Sequence, residues 1–252
     1  MTDIQDFEGR TALVTGAASG IGAACAKALA ARGAAKLFLV DVDTAGMDAL
    51  DLPCEVETIT GSVAEEALWS DLEPRLVGLD HAVVNAGIGG SGQIANLEFT
   101  EWRRIMDVNL DGAFLTLRAA MRAMKDKGGS AVITSSSTGV KPIAGIGPYG
   151  VAKAAVSHMT RIAALEGAPN KIRVNAIAPG GVDTNIWESS PEFKQSVEAN
   201  GREATIKAMT TTTPLGRFAT SEEIASDILY MLAPSGANLT GHVLVSDGGF
   251  TL

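Results

Sequence analysis

The stretch TALVTGAASGIGAACAKALAARG, residues 11–33, sets the first structural expectation. Its opening run, TALVTG (11–16), is short, apolar and rich in strand formers. The segment after it, 21–32, is Ala-rich and helical in pattern, and Gly33 follows at a cap position. Between them lies TGAASGIG (15–22), with glycines at 16, 20 and 22. Glycines at this spacing allow a tight turn and let the main chain pass close to a ligand. The unpaired N–H groups at the helix start then face outward, where they suit a pyrophosphate. Gly16, Ser19, Gly20, Ile21 and Gly22 are therefore candidate cofactor contacts.

The next apolar run, KLFLVDV (36–42), carries Asp41 about 20 residues past the glycines. A carboxylate there accepts hydrogen bonds from an adenosine ribose and repels a 2′-phosphate. No Arg or Lys stands in the glycine loop to hold such a phosphate. The pair favours NAD over NADP. The plainer reading of Asp41 and Asp43 is as turn residues.

Further runs extend the pattern: VETITGSV (56–63), DHAVVNAG (80–87), SAVITSSS (130–137), IRVNAIAPG (172–180) and HVLVSDGG (242–249). Near-continuous apolar runs of this length read as strands buried on both faces. Helical patterns separate them at 100–124, with Thr100 as the expected N-cap, at 149–165 and at 221–232. The alternation predicts one α/β domain over 1–252, with a seven-stranded parallel sheet and helices on both faces. Residues 183–213 break the pattern. They are too long for a plain connection and read as a substrate-binding lid.

Composition narrows the function classes. The chain has 252 residues, 46% of them hydrophobic, and a formal charge of -9. Without a basic cluster it is not suited to nucleic acid. No apolar stretch reaches the roughly 20 residues of a membrane helix, and the acidic N-terminus lacks a signal pattern. The expectation is a soluble cytoplasmic protein. Cys25 and Cys54 suggest neither a metal site nor a disulfide framework, and His81, His158 and His242 show no metal spacing.

The segment GPYGVAKAAVSHM (147–159) places Tyr149 and Lys153 four residues apart, on one helical face. A packed phenol beside a solvated lysine is one reading. The other is an acid–base pair. A phenol has an ordinary pKa near 10, and a nearby ammonium favours the phenolate.

Taken together, the Gly-x-x-x-Gly-x-Gly loop, NAG at 85–87, YGVAK at 149–153 and APGGVDT at 178–184 resemble the short-chain dehydrogenase/reductase family across nearly the whole chain. The resemblance implies a doubly wound Rossmann-type domain. It also implies hydride transfer between NAD and a secondary alcohol or its ketone. It assigns Tyr149 as general acid/base and Lys153 as its partner and a holder of the nicotinamide ribose. Ser136, thirteen positions before Tyr149, would hold the substrate oxygen, and Asn109 would anchor a proton-relay water. Asn85, Ala86 and Gly87 would line the adenosine half of the cofactor. Val182 and Thr184 would meet the nicotinamide amide, with Pro179 and Gly180 shaping that turn. Val63 would lie beside the adenine, although Ser62 replaces the family's usual Asp before it.

Gln93, Ile94, 141–146, Gly181 and the segment 187–209 are expected pocket walls, with Ile143, Ile146, Trp187 and Met209 making the pocket partly apolar and no Arg clamp in sight. The substrate is then small to medium and not strongly anionic. The family also implies a homotetramer, with part of helices 100–124 and 149–165 buried between subunits. A 3-oxoacyl-thioester reductase would want NADPH and a basic patch. A non-catalytic dinucleotide sensor would be expected to lose part of the Ser–Tyr–Lys set.

Overall fold

The computed structural model describes residues 5–252. Seven parallel strands form one sheet: β1 (Thr11–Thr15), β2 (Lys36–Asp41), β3 (Glu55–Thr60), β4 (His81–Val84), β5 (Gly129–Thr134), β6 (Ile172–Pro179) and β7 (Val243–Ser246). Their spatial order is β3-β2-β1-β4-β5-β6-β7. The order reverses at β1, so the strand ends of β1 and β4 open a crevice between them. Ligands bind at such a switch point in open α/β sheets.

Successive side chains feed opposite faces. Ala12, Val14, Leu37 and Leu39 join one core with α1 (Gly20–Ala31) and α9 (Ser221–Leu232). Leu13, Phe38, Val40, Val84 and Ile133 join the other. That second layer holds α3 (Glu66–Leu72), α5 (Gly112–Met124) and α6 (Gly147–Gly167). The period-2 alternation of a strand explains why an all-apolar run is stable only when both faces are covered. The short α2 (Thr44–Asp48) follows β2, with the Asp43 carboxylate accepting from the Gly46 N–H at 3.1 Å.

The expected helix 100–124 differs in detail. It begins as α4 (Phe99–Met106) with Glu98, not Thr100, at the extended N-cap. A π-helical turn, Asp107–Asp111, then joins it to α5. The cause is local. Asn109 Nδ2 donates to the Ile105 carbonyl four residues back at 3.0 Å, competing with the helical ladder for that acceptor. Such widened turns mark functional positions in helices.

The helix starting at Ser221 falls where the pattern put it. Thr220 and Glu223 form a reciprocal capping box there. At its other end Arg173 donates to five main-chain carbonyls, those of Met231, Leu232, Ala233, Gly236 and Leu239. This single guanidinium ties β6 to the C-terminus of α9, where the helix dipole favours a cation. Residues 183–213 fold as α7 (Pro191–Asn200) and α8 (Arg202–Met209) between short 3-10 turns. Among the described residues no helix is long and apolar enough to cross a membrane.

Candidate active site

The glycine loop is built as its spacing demands. Gly16 and Gly20 have φ of 67° and 52°, in the left-handed region that favours glycine. A methyl group at Gly22 would lie 2.0 Å from the Gly16 carbonyl oxygen, so helix α1 packs directly on the turn. The Ser19 side chain, at the N-cap, makes no capping hydrogen bond and is exposed. Ile21 is partly buried against the core. The result is a turn of main chain at a helix N-terminus, a cradle that fits a pyrophosphate.

Asp41 closes one end of the cradle. Its Oδ2 accepts from the Ala18 N–H at 3.0 Å and its Oδ1 from the Asp43 N–H at 3.1 Å. Each oxygen keeps a second lone pair for a ligand hydroxyl. Val63 behaves differently. Its carbonyl accepts from Trp69 Nε1 at 2.8 Å and its side chain packs on Gly112 of α5. It is a packing residue in this structure.

Asn85 braces three strands. Its Nδ2 donates to the Thr15 carbonyl at 3.1 Å, and its Oδ1 accepts from Thr134 Oγ1 at 3.1 Å. The N–H groups of Asn85 and Ala86 both donate to Thr15 Oγ1. The side chain therefore shapes the floor between β1, β4 and β5.

Gly87 sits where two further residues meet. A methyl group there would lie 2.8 Å from Asn109 Oδ1 and 3.3 Å from Lys153 Nζ. Asn109 is 1% exposed. Its Nδ2 donates to the Ile88 and Ile105 carbonyls, and its Oδ1 accepts from the Ile88 N–H. Three bonds tie the side chain to the main chain, and its Oδ1 keeps a second lone pair.

Tyr149 and Lys153 project from the first two turns of α6. Lys153 is 3% exposed, and its Nζ donates to the Thr134 carbonyl at 2.8 Å. Burial brings its pKa down to about 8. The ammonium stands 5.5 Å from the centre of the Tyr149 ring. Burial pushes the Tyr149 phenol up to about 12, against a hydrogen bond from Ser136 that lowers it. This is the reverse of the shift expected from the sequence. The physical reason is that desolvation outweighs the single donor in this state, while Lys153 is turned to a main-chain oxygen.

Ser136 lies just past the end of β5, at 7% exposure. Its neighbours do other work. Ser135 Oγ bonds the Lys153 carbonyl at 2.8 Å and Ser157 Oγ at 2.6 Å, clamping α6 to β5.

The remaining candidates form the far wall. Pro179 ends β6, and the Gly180 N–H donates to the Ser246 carbonyl at 3.0 Å. Thr184 reaches back over the cradle, where a methyl at Gly20 would meet its Cγ2 at 3.1 Å. Val182 is buried, and its carbonyl accepts from Trp187 Nε1 at 2.8 Å. The Trp187 ring stacks on Phe218 with centroids 5.4 Å apart. It anchors the 183–213 segment and remains partly exposed. Across the crevice, a methyl at Gly89 would lie 2.2 Å from Ser189 Oγ, so this segment rests on the loop after β4.

Three contributors escape the sequence reading: Thr15, Thr134 and Thr138. Each acts through a strand-end or turn hydroxyl or carbonyl. For Thr138 the signal is a hydroxyl residue two places after Ser136, the spacing of a side-chain turn.

Comparison with known proteins now bears on this geometry. The family model described as enoyl-(acyl carrier protein) reductase matches residues 16–251. A cis-4-hydroxycyclohexanecarboxylate dehydrogenase of Sinomonas cyclohexanicum is 36% identical, covering 97% of this chain and 98% of its own. The chain belongs to the short-chain dehydrogenase/reductase family. A 3beta-hydroxysteroid dehydrogenase of Mediterraneibacter gnavus is 33% identical over 97% of this chain and 96% of its own. The crystal structure of a short-chain type dehydrogenase/reductase from Mycobacterium marinum superposes with a TM-score of 0.85 at 32% identity, covering 99% of this chain and 98% of that one. As a member of the short-chain dehydrogenase/reductase family the protein is an oxidoreductase, and nicotinamide dinucleotides are the cofactors typical of that family.

Proposed function

We propose that the protein is an NAD-dependent dehydrogenase that interconverts a secondary alcohol and its ketone. The observation that carries this reading is the convergence of Ser136, Tyr149 and Lys153 beside the glycine cradle, with the phenol hydrogen-bonded to Ser136 and the ammonium one turn below. A bound nicotinamide dinucleotide supplies the hydride acceptor or donor and, when oxidised, a positive charge beside the phenol.

The chain's own residues do the rest. The loop Gly16, Ser19, Gly20, Ile21 and Gly22 would hold the pyrophosphate, and Asp41 the adenosine ribose. Ala86, Gly87, Pro179, Gly180, Val182 and Thr184 would line the path to the nicotinamide. In alcohol oxidation Ser136 donates a hydrogen bond to the substrate oxygen, and Tyr149, as phenolate, takes the hydroxyl proton while the carbinol hydride leaves. In reduction the same phenol returns the proton. Lys153, brought to the ribose, supplies the charge that moves Tyr149 down from about 12 towards the working pH. Asn109 would anchor the proton-relay water, the second lone pair of its Oδ1 still being available beside the one bond that it accepts.

The two named relatives act on ring-borne alcohols, which supports a cyclic secondary alcohol as substrate class. We further read residues 1–252 as one catalytic domain, with 183–213 as the lid that excludes water. Exposed Phe114, Val151, Ile162 and Leu165, at 47%, 43%, 46% and 79%, support burial of the α5 and α6 faces in a homotetramer. One observation favours a second reading, an acyl-thioester reductase: the description of the matched family model. The net charge of -9 weighs against docking of an acidic carrier.

The test is a panel of cyclic and acyclic secondary alcohols with NAD, followed at the NADH absorbance band, with 3-oxoacyl thioesters and NADPH as the competing pair. Tyr149→Phe should keep NADH binding within about twofold and lose activity by about 10²–10⁴-fold. Wild-type activity in that variant overturns the mechanism.

A further inference from the structure

We propose that Thr138 is a positioning residue that restricts Ser136 to the role of hydrogen-bond donor. The inference rests on the Ser–Tyr–Lys reading above and deepens it. A serine hydroxyl has one proton and two lone pairs. The Thr138 N–H donates to Ser136 Oγ at 3.2 Å, and Thr138 Oγ1 donates to the same oxygen at 3.0 Å. Both acceptor positions are then filled by one residue. The proton is what Ser136 has left to offer, and it goes to the oxygen of Tyr149, or to a substrate oxygen placed beside it.

The alternative orientation would be unproductive. A Ser136 with a free lone pair can accept from the Tyr149 hydroxyl. It would then compete with substrate for the proton that Tyr149 is to deliver. Thr138 closes that option. The bond from Ser136 lowers the Tyr149 pKa, as expected of a donor to the phenolate. Donors in series also polarise one another, so Thr138 strengthens the bond that Ser136 gives.

Thr138 is itself rigidly placed. Ser136 is in extended conformation, and residues Ser137–Gly139 make a tight 3-10 turn. A methyl at Gly139 would lie 2.7 Å from the Lys153 main-chain carbon, so the turn is seated on the α6 backbone. Any residue at 138 other than proline keeps the main-chain donor. Only a hydroxyl supplies the second one.

The experiment compares wild type, Ser136→Ala, Thr138→Val and Thr138→Ser with NAD and the best alcohol from the panel above. Thr138→Val should lower kcat about fivefold to tenfold, leave the KM for NAD within about twofold, and move the acid limb of the kcat pH profile, where the phenolate becomes protonated, up by about half a pH unit. Thr138→Ser should restore both the rate and the profile. If urea denaturation shows Thr138→Val unfolded, Thr138→Ala lacks the same hydroxyl and is read in its place. The proposal is overturned if the variant lacking the hydroxyl matches wild type while Ser136→Ala loses about a hundredfold or more. It is equally overturned if Thr138→Ser fails to rescue. Full activity of Ser136→Ala would instead remove the catalytic reading on which the proposal stands.

Discussion

The ammonium of Lys153 donates to the main-chain oxygen of Thr134 at 2.8 Å, with no carboxylate paired to it among the described residues. A buried cation satisfied by a neutral carbonyl is costly, which is why its pKa falls to about 8. Lys153→Met removes that cost along with the bond. We expect the variant to be more stable than wild type by about 1 kcal/mol at pH 7 in urea denaturation, and to lose activity about a hundredfold or more. A loss of stability beyond 2 kcal/mol, by the same order-of-magnitude reasoning, would show that the bond outweighs the burial.

Gly87 is the point on which Asn109 and Lys153 close. Its substitution by alanine places a methyl 2.8 Å from Asn109 Oδ1, which three main-chain bonds hold in place. The Gly87 main chain must then shift off Asn109, and Lys153 Nζ, 3.3 Å from the methyl, must give way with it. Gly87→Ala should lower kcat by about 10–100-fold with a stability loss of only about 1–2 kcal/mol. Unchanged kcat would mean that the ammonium tolerates displacement.

Asp41 combines an acceptor role with a negative charge at the end of β2. Asp41→Asn keeps an acceptor for Ala18 and drops the charge. The ratio of kcat/KM for NADP to that for NAD should rise about tenfold or more, the charge penalty on a 2′-phosphate being about 1.4 kcal/mol. An unchanged ratio would remove Asp41 from cofactor choice.

His81 gives a pH test that is independent of catalysis. Its Nδ1 pairs with Ser130 Oγ at 2.9 Å, its ring meets Phe7 edge-on at 5.1 Å, and burial lowers its pKa to about 4. The unfolded chain takes up this proton at about 6.5, well before the folded chain does. Stability contributed by neutral His81 is therefore intact above pH 6.5 and is lost as pH falls towards 4. The loss should be on the order of 2 kcal/mol. His81→Gln should flatten that slope in denaturation midpoints measured from pH 7 to pH 4. An identical slope would assign it to other groups.

The central strands were readable because runs such as ALV, LFLV and AVI are apolar throughout, which only a sheet covered on both sides accommodates; edge strand β3, EVETIT, is largely polar and mostly exposed. The glycine loop was readable because its φ values and its packing on α1 leave little room for side chains. Helical spacing put Tyr149 and Lys153 on one face, while the grouping of Ser136, Asn109 and Gly87 with them was implied by the resemblance to the family. What each side chain does there was less readable. Asn109 is tied to the main chain by three side-chain bonds, and Trp187 stacks on Phe218, contacts that no pattern along the chain announces.

The sequence by itself determined the alternation of strands and helices and the glycine loop, because periodicity and glycine placement are local properties; the residues expected at the site came from the resemblance to the family, and the strand order that opens a crevice at β1 and β4 is a tertiary fact. Only the tertiary structure decided the burial that raises the Tyr149 phenol pKa, the orientation of Lys153 towards Thr134 and the donors that fill Ser136. These depend on burial and on which carbonyl or hydroxyl from a distant strand comes within 3 Å, and no pattern along the chain encodes such a distance.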